Sequence, residues 1–434
     1  NANNFATRFT YDAYANPATV LDPLDGLTRY VYDIVGRRTE MTDANEHTAR
    51  FEYDNNDRLV ATTDPKVRVT RFDFDAVGNL KRTVDRRGNA TDYDYDENDS
   101  LIKVTDPRGF SSVFGYDRQY HRTSTRNRRG FITAYTYDVV YDLKVITDAK
   151  GNQTAFHYDA DHLLVSAIDA LAGTTQYVYD ELHRLIQMTD ALDGVTVYTY
   201  DPVGRLTKRR DPNLAETQYK YDRLGRATRM TDALTNVTEY SYDGVGNRTA
   251  LNNGRSFVTT YDFDANNRLS AITDPLSHTS RWTYDNTGNV RSMTDRRGST
   301  THFVYDANDN LAEVTDALGG ITRFEHDEEN NRVAAFDANG HRREFTFDEV
   351  GNMTGAKLPL GQTTVYDRDE NGNIIRVTNA KDNTTALRYD ALDLLIRRTS
   401  PLGFVTRYDY DELRRARLMT DAENHATEYQ FDPL

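Results

Sequence analysis

Apolar and polar positions alternate over short stretches of this chain, and the alternation returns every 21 residues. In Val195–Tyr200, threonine and tyrosine side chains occupy every second position between valine and threonine. Period-two alternation of β-branched and aromatic residues predicts a strand, and Leu185–Thr189 predicts a second one. Asp180–Arg184 and Asp190–Gly194 carry the Asp and Gly residues typical of turns. Each repeat is therefore predicted to be a β-hairpin.

An aromatic-Asp pair marks the phase of the repeat. Sampled every 21 residues from Tyr11 to Phe431, the second position is Asp in all 21 pairs and the first is aromatic in 19. Another aromatic lies two residues before each pair, with Leu387 as the exception. We single out four anchor pairs as structural sites: Tyr32, Asp33, Tyr200, Asp201, Tyr221, Asp222, Tyr242 and Asp243.

The second predicted strand carries two further apolar columns, represented by Leu185 and Met188. Their odd separation places them on opposite faces of a flat strand. Either a bulge brings them to one face, or both faces are partly covered. We expect the aromatic columns to form ladders from repeat to repeat, because cross-strand pairs contribute about 0.2–1 kcal/mol each.

Composition narrows the class of protein. Aromatic residues make up 11% of the 434, which excludes a disordered chain. There is no cysteine, so neither a disulfide framework nor a thiolate metal site is possible. No apolar run is long enough for a transmembrane helix, and the first residues do not read as a signal peptide. The net charge of −15 argues against nucleic acid or an anionic membrane as a partner.

The repeat resembles a known one. Tyr200–Leu206 (YDPVGRL) and Tyr221–Arg226 (YDRLGR) are similar to the YD repeat of Rhs proteins, teneurins and the shell-forming BC components of insecticidal toxin complexes. The resemblance covers residues 1–434 as one uninterrupted array of about 20 repeats. It implies an all-β fold in which a long antiparallel sheet strip spirals into a hollow shell or tube. In bacterial members, the shell holds a toxic C-terminal domain that is released by an aspartyl self-cleavage site.

The chain departs from that family in having no recognisable core segment, toxin domain or transport domain. Repeat arrays need polar capping units, and neither end resembles one. We therefore expect the chain to be part of a longer polypeptide. Its open strand edges are predicted to pair with the rest of that polypeptide or with further copies.

The sequence offers little support for a catalytic site or a metal-binding site. The Asp columns could hold Ca²⁺, but Asp at these turn positions has a backbone role and the calcium-binding nonapeptide is absent. The ten histidines form no zinc-protease motif, and no hydrolase nucleophile elbow occurs. We predict a protein that is not an enzyme and that needs no cofactor.

Basic residues offer the one candidate contact site. Arginine pairs recur at the turn after the second strand, where they could face an anionic partner or be simply solvated. The most basic stretch is 118–129, and its candidate contact residues are Arg118, His121, Arg122, Arg126, Arg128 and Arg129. Replacements of column residues cluster between 326 and 400. Sequence drift between repeats explains these replacements. The alternative is that this segment is a junction where the strip meets another part of the protein.

The leading functional hypothesis is a structural shell wall that encloses a cargo such as a toxin domain, in a secreted or cell-surface protein. The alternative is an extracellular fibre, tube or adhesin built of the same hairpins, with exposed aromatics that contact surface carbohydrate. Known carbohydrate-binding hairpin arrays rely on Trp, and this chain contains only Trp282.

Overall fold

The computed structural model describes residues 2–255 and 257–431. The described residues form 41 β-strands and no helix, so none of them belongs to a helix that could cross a membrane. The predicted hairpin repeat and the all-β fold are confirmed. Strand β18 coincides with the predicted Leu185–Thr189 and β19 with Val195–Tyr200. Asp432, in the last anchor pair, lies outside the described residues.

Strand lengths are constant between the two ends of the array. The odd-numbered strands from β3 to β39 have six residues and end on the anchor position: β3 Leu27–Tyr32, β5 Thr48–Tyr53, β7 Val69–Phe74, β9 Ala90–Tyr95, β11 Ser111–Tyr116, β13 Ile132–Tyr137, β15 Gln153–Tyr158, β17 Thr174–Tyr179, β19 Val195–Tyr200, β21 Glu216–Tyr221, β23 Val237–Tyr242, β25 Val258–Phe263, β27 Thr279–Tyr284, β29 Thr300–Tyr305, β31 Ile321–His326, β33 Arg342–Phe347, β35 Thr363–Arg368, β37 Thr384–Tyr389 and β39 Val405–Tyr410.

The even-numbered strands have five residues: β2 Pro17–Leu21, β4 Arg38–Thr42, β6 Leu59–Thr63, β8 Leu80–Val84, β10 Leu101–Thr105, β12 Arg122–Arg126, β14 Leu143–Thr147, β16 Leu164–Ile168, β18 Leu185–Thr189, β20 Leu206–Arg210, β22 Ala227–Thr231, β24 Arg248–Asn252, β26 Leu269–Thr273, β28 Val290–Thr294, β30 Leu311–Thr315, β32 Arg332–Phe336, β34 Met353–Lys357, β36 Ile374–Thr378, β38 Leu395–Thr399 and β40 Ala416–Thr420. The end strands are shorter: β1 Arg8–Tyr11 and β41 Ala426–Glu428.

Consecutive strands pair antiparallel, and a β-bulge interrupts the register in each repeat. In the pair β17–β18, Tyr179 faces Leu185 and Tyr177 faces Met188, with the shift in between. The bulge therefore brings the Leu and Met columns onto the same face as the aromatic columns, which answers the question that the flat-strand geometry left open. In strand β17, the third and fifth residues, Gln176 and Val178, are exposed on the opposite face.

The expected aromatic ladders are interrupted, and this prediction is corrected. Tyr198 faces Arg209 and Met188 faces Thr196, so successive aromatics of one column are separated by a five-residue strand. Two strand spacings amount to about 9.6 Å, too far for direct ring stacking. In four repeats an Arg replaces the Leu of the intervening column. Arg38, Arg248 and Arg332 each lie between aromatic rings of the two flanking strands, whereas Arg122 contacts two rings of strand β11 alone.

The chain divides into two compact units. Unit 1 consists of residues 1–90 and 220–345, and unit 2 consists of residues 91–219 and 346–434. Each unit thus combines two stretches of the strip that are distant in sequence. The sheet is a single layer, since no large side chain is fully buried among the described residues. Those with the lowest exposure are Ala61, Ala265, Ala271, Ala334, Asp106 and Thr196.

Candidate interaction site at the hairpin turns

Two turns close each repeat, and both have the same geometry. The Tyr-Asp turn follows a six-residue strand and starts at the anchor aspartate, as in Asp33–Arg37. The Thr-Asp turn follows a five-residue strand, as in Asp43–His47. In both, the first and fifth residues and the first and fourth residues are joined by backbone hydrogen bonds. The fourth residue has a positive φ, 87° at Gly36 and 66° at Glu46, as expected of a type I turn followed by a bulge.

The five residues of a turn are numbered 1 to 5 from the residue that starts it. An aspartate at position 1 holds its turn together. Asp33 Oδ1 accepts the backbone N–H groups of Val35 and Arg37, both at 3.0 Å. Only the first of these bonds was predicted from the sequence, because Asx-turn chemistry reaches two residues ahead. In the equivalent turn, the hydrogen bond from the N–H of Arg205 holds the pKa of Asp201 below its usual range. The aspartate columns are therefore turn-forming elements.

The fifth residue of the Tyr-Asp turn connects one repeat to the next when it is arginine. Arg226 Nε lies 2.6 Å from Asp222 Oδ2, and its Nη1 donates to the carbonyl of Asp243 at 2.9 Å. The same guanidinium lies 4.7 Å from the ring centroid of Tyr242, a cation–π distance. Arg37 joins Asp33 to the following repeat in the same way. This clamp was not predicted from the sequence, although the recurring Gly-Arg was its signal.

The anchor tyrosine has a second role that the repeat count alone did not reveal. Its hydroxyl donates to the carbonyl of the first residue in the five-residue strand before it, 2.8 Å for Tyr200 to Leu185 and for Tyr242 to Ala227. Burial raises the pKa of Tyr200. The same hydrogen bond recurs at Tyr53, Tyr116, Tyr137, Tyr179, Tyr284 and Tyr410.

Arg368 occupies an anchor position, and its guanidinium replaces the tyrosine hydroxyl as the donor of this hydrogen bond. Its Nε and Nη2 both donate to the carbonyl of Met353 at 3.2 Å, the carbonyl that a tyrosine hydroxyl would reach. His326, the other replaced anchor, is partly buried, and this burial lowers the pKa of its imidazole. Drift at these two positions therefore preserves the strand and turn around them.

In unit 1, Thr-Asp turns of residues 1–90 face Tyr-Asp turns of residues 220–345. Asn45 donates its amide to Thr287 Oγ1 at 2.7 Å, and the two residues are 242 positions apart. This offset is eleven and a half repeats, which is why the two kinds of turn meet. We call this contact zone the seam. Lys66 Nζ lies 2.5 Å from Asp306 Oδ2, and Asn308 donates to Asp64 at 2.7 Å.

Burial at the seam, acting alone, would raise the pKa of Asp306. However, hydrogen bonds from Lys66 and from the backbone N–H groups of Asn308 and Asn310 outweigh it and lower the pKa to about 2. The carboxylate is therefore ionised at any physiological pH. The seam joins polar side chains at position 3 of one turn, such as Lys66 and Asn308, to the aspartate at position 1 of the facing turn. Its sequence signal was the Asn, Lys or Arg that replaces Leu at several of these positions.

Unit 2 contains an equivalent seam. Arg108 donates to the carbonyl of Glu370 at 3.0 Å and lies 3.6 Å from Asp348. Arg129 lies 3.3 Å from Asp369 and 2.7 Å from Asp393. The recurring arginines after the second strand therefore face anionic groups of the same chain. Part of the segment 326–400, where column replacements cluster, supplies those groups.

The six residues of the basic patch lie at both ends of strand β12. Arg118 and His121 lie in the Tyr-Asp turn before it, where His121 contacts Asp117 at 3.1 Å. Arg122 and Arg126 are its exposed first and last residues. In the Thr-Asp turn after it, Arg128 lies 3.4 Å from Asp106. Arg129 is in the seam, so the structure does not bring the six together on one surface.

The geometry of the turns also bears on the hypothesis that the Asp columns bind a metal ion. Within residues 2–255 and 257–431, no group of three or more acidic or histidine side chains is placed to hold a metal ion. Histidines at position 5 contact the aspartate at position 1 of the same turn, for example His341 Nδ1 at 3.0 Å from Asp337. The anchor aspartates Asp201, Asp222 and Asp243 all accept backbone N–H groups in this way.

Sequence profiles of two protein families match the chain. The Teneurin YD-shell profile matches residues 275–433. The RHS Repeat profile matches five segments: 32–66, 74–112, 158–194, 179–214 and 221–262. A comparison with curated proteins finds no match.

Solved structures share the fold at low sequence identity. The crystal structures of TcdB2-TccC3-Cdc42 and TcdB2-TccC3-TEV each give a TM-score of 0.63 at 15% identity, with 95% and 96% of this chain covered. The Photorhabdus luminescens Tc holotoxin pore gives 0.62 at 14% identity over 95% of this chain. The chain spans 26–28% of the length of these proteins. The likeness therefore concerns the fold.

Proposed function

We propose that this chain, whose repeats match the RHS Repeat and Teneurin YD-shell profiles, forms part of the wall of a hollow shell and that the shell encloses a cargo such as a toxin domain. The proposed shell belongs to a secreted or cell-surface protein. Its partners are the rest of the polypeptide and the enclosed cargo. The chain itself contributes a barrier and carries out no chemistry.

The observation that carries this proposal is the way each unit extends in two directions. Along the strip, strands are joined by backbone hydrogen bonds. Across the strip, stretches 242 residues apart are joined turn to turn at the seam. A single layer extended in both directions, without a buried core of large side chains, has the properties of a wall. The fold shared with the TcdB2-TccC3 structures supports the same function.

Enclosure can be tested by the accessibility of the two faces, because the natural chain has no cysteine. Met293→Cys introduces a thiol on the face of the aromatic columns, and Val304→Cys introduces one on the opposite face. In the polypeptide encoded by the full reading frame, both thiols should react with a small maleimide. Only the thiol on the outer face should react with a maleimide that carries a long polyethylene glycol chain.

Equal labelling of both variants by the large reagent would show that both faces are open, which contradicts enclosure. Reaction in urea gives the control for intrinsic thiol reactivity. Electron microscopy of the same polypeptide provides an independent result, since enclosure requires discrete hollow particles.

A second candidate is a fibre or tube of the same hairpins. It is favoured by the constant strand lengths, six and five residues from β2 to β40. Identical repeats generate a uniform helix, whereas a closing shell has to taper. Filaments of constant diameter in electron micrographs would support this candidate over the shell.

A further inference from the structure

The sheet face opposite the aromatic columns, which we call the polar face, carries ion pairs between neighbouring strands. Arg50 Nε lies 3.1 Å from the carboxylate of Glu40, and Arg323 Nε lies 2.9 Å from that of Glu313. In both cases the two residues stand directly opposite each other in the strand register. Cross-strand pairs of opposite charge stabilise an antiparallel sheet. Arginine on this face is therefore compatible with the fold where an acidic residue faces it.

Three arginines on the polar face of unit 2 have no acidic residue opposite them. Arg388, Arg397 and Arg407 lie on the successive strands β37, β38 and β39, and Arg397 stands directly opposite both of the others. All three residues are exposed. Within the described part of the chain, none of their side chains forms an ion pair or a hydrogen bond. We call these three residues the arginine row.

The arginine row is unfavourable for the fold, because like charges directly opposite each other destabilise adjacent strands. The nearest carboxylates along the sheet are already engaged. Arg376 Nε lies 3.2 Å from Asp367 at one end of the row, and Arg417 Nη2 lies 2.8 Å from Asp409 at the other. The positive charge of the row is therefore not compensated by these neighbours, and an anion that binds there would relieve the repulsion.

The spacing of the row indicates which anion fits. Adjacent strands lie about 4.8 Å apart, so the three arginines repeat at this interval over about 10 Å. An extended acidic peptide presents carboxylates on one side about every 6.7 Å, and a nucleic acid strand in a duplex has a phosphate about every 3.4 Å. The sugar rings of an extended glycan follow one another at nearly the strand interval. A sulfate ester on such a ring is a tetrahedral oxyanion, which a guanidinium can bind through two parallel hydrogen bonds, as it does phosphate.

We propose that the arginine row binds a sulfated glycan, whose sugar chain crosses strands β37, β38 and β39 and places one sulfate group on each arginine. The net charge of −15 disfavours a long nucleic acid or an anionic lipid surface, because both would also approach the acidic remainder of the chain. A short run of sulfated sugars contacts the row alone. The proposal concerns three adjacent strands of one unit, and it does not depend on the proposed shell function.

Isothermal titration calorimetry with heparin oligosaccharides measures the binding. The purified chain should bind a heparin tetrasaccharide, and chemical removal of its sulfate groups should abolish the binding. Affinity should rise from disaccharide to tetrasaccharide and then level off, because the ion-paired Asp367 and Asp409 flank the row. Inorganic sulfate should bind at least about 100-fold more weakly than the tetrasaccharide, since one ion cannot engage all three arginines. Added salt should weaken the binding.

Arg397→Gln removes the central charge of the row. It should weaken binding of the tetrasaccharide at least about 10-fold. It should also raise the urea concentration at which the chain unfolds, because the repulsion from Arg388 and Arg407 is lost. Arg71→Gln is the matched control, since Arg71 is exposed on the polar face of unit 1 and stands opposite the neutral Ala61 and Val84. It should bind the tetrasaccharide like the natural chain.

Several results would overturn the proposal. A natural chain that does not bind the tetrasaccharide would do so, as would equal binding by the natural chain and Arg397→Gln. Tighter binding of an oligonucleotide, an acidic peptide or anionic phospholipid vesicles would assign the row to a different anion. A lower urea midpoint of Arg397→Gln would show that the row serves the fold and not a ligand. Unchanged circular dichroism verifies that both variants are folded.

Discussion

Asp106 provides the sharpest test of the idea that paired charges at the seam stabilise the fold. Its side chain is only 4% exposed, and its Oδ2 lies 3.1 Å from Arg108 and 3.4 Å from Arg128. Its Oδ1 accepts the N–H groups of Arg108 and Phe110 at 3.0 Å, the same two bonds that Asp33 makes in its turn. Asp106→Asn removes the charge and retains the turn. Asn127 shows that asparagine fits, because it accepts the N–H of Phe131 at 2.9 Å.

The magnitude follows from burial. Removing one partner of a buried ion pair costs about 3–5 kcal/mol. Arg128 is about a third exposed, and Arg108 retains Asp348 as a partner, so the cost should fall somewhat below that range. We expect Asp106→Asn to lower the free energy of unfolding by about 2–3 kcal/mol. Asp106→Ala also removes two backbone hydrogen bonds and should cost about 4–5 kcal/mol.

Urea unfolding followed by circular dichroism measures the total loss, and hydrogen exchange locates it. Exchange should rise in the turn 106–110 and in the facing turn 348–352, both in unit 2. Asp295→Asn is the control, because Asp295 makes the same turn bonds to Arg297 and Ser299, and no facing turn contacts it within the described residues. Its effect should be much smaller. If the two Asp→Asn variants lose equal stability, the seam charges contribute nothing and the reasoning is refuted.

Three further predictions address the seam and the replaced anchors. Since the folded-state pKa of Asp306 is about 2, below its usual 3.8, its contribution to stability is present above pH about 4 and is lost as the pH falls toward 2. Lys66→Met should raise that pKa, and acid unfolding should then begin at higher pH, as measured by fluorescence. Because burial lowers the pKa of His326, unfolding binds protons and stability should fall as the pH drops from about 7 to 5. His326→Tyr should abolish this dependence in urea titrations at the two pH values. Arg368→Tyr should retain the hydrogen bond to Met353, whereas Arg368→Leu should cost about 1–3 kcal/mol and raise hydrogen exchange locally.

Each of these three has a result that would contradict it. Identical acid transitions of Lys66→Met and the natural chain would mean that the ion pair does not hold the carboxylate ionised. A pH dependence that survives His326→Tyr would assign it to another group. Equal stability of the two Arg368 variants would show that the carbonyl of Met353 needs no side-chain donor.

The repeat, the strands and the turns could all be predicted from the amino-acid sequence. Asp222 and Asp232 both begin turns as predicted, because turn chemistry and period-two alternation act over a few neighbouring residues. The resemblance to the YD repeat was likewise accessible from Tyr221–Arg226, a short local pattern. Even the requirement for positive φ at Gly225 could be foreseen, since it is a property of one turn.

The face on which each side chain lies and the turn that it contacts became clear only from the folded chain. The bulge between Leu185 and Gln187 sets the face of the second strand, and it depends on pairing with the neighbouring strand. The seam was inaccessible for a deeper reason. In a periodic sequence every Thr-Asp turn could face every Tyr-Asp turn. The offset of 242 residues between Asn45 and Thr287 is a long-range property of the fold, and no pattern within one repeat determines it.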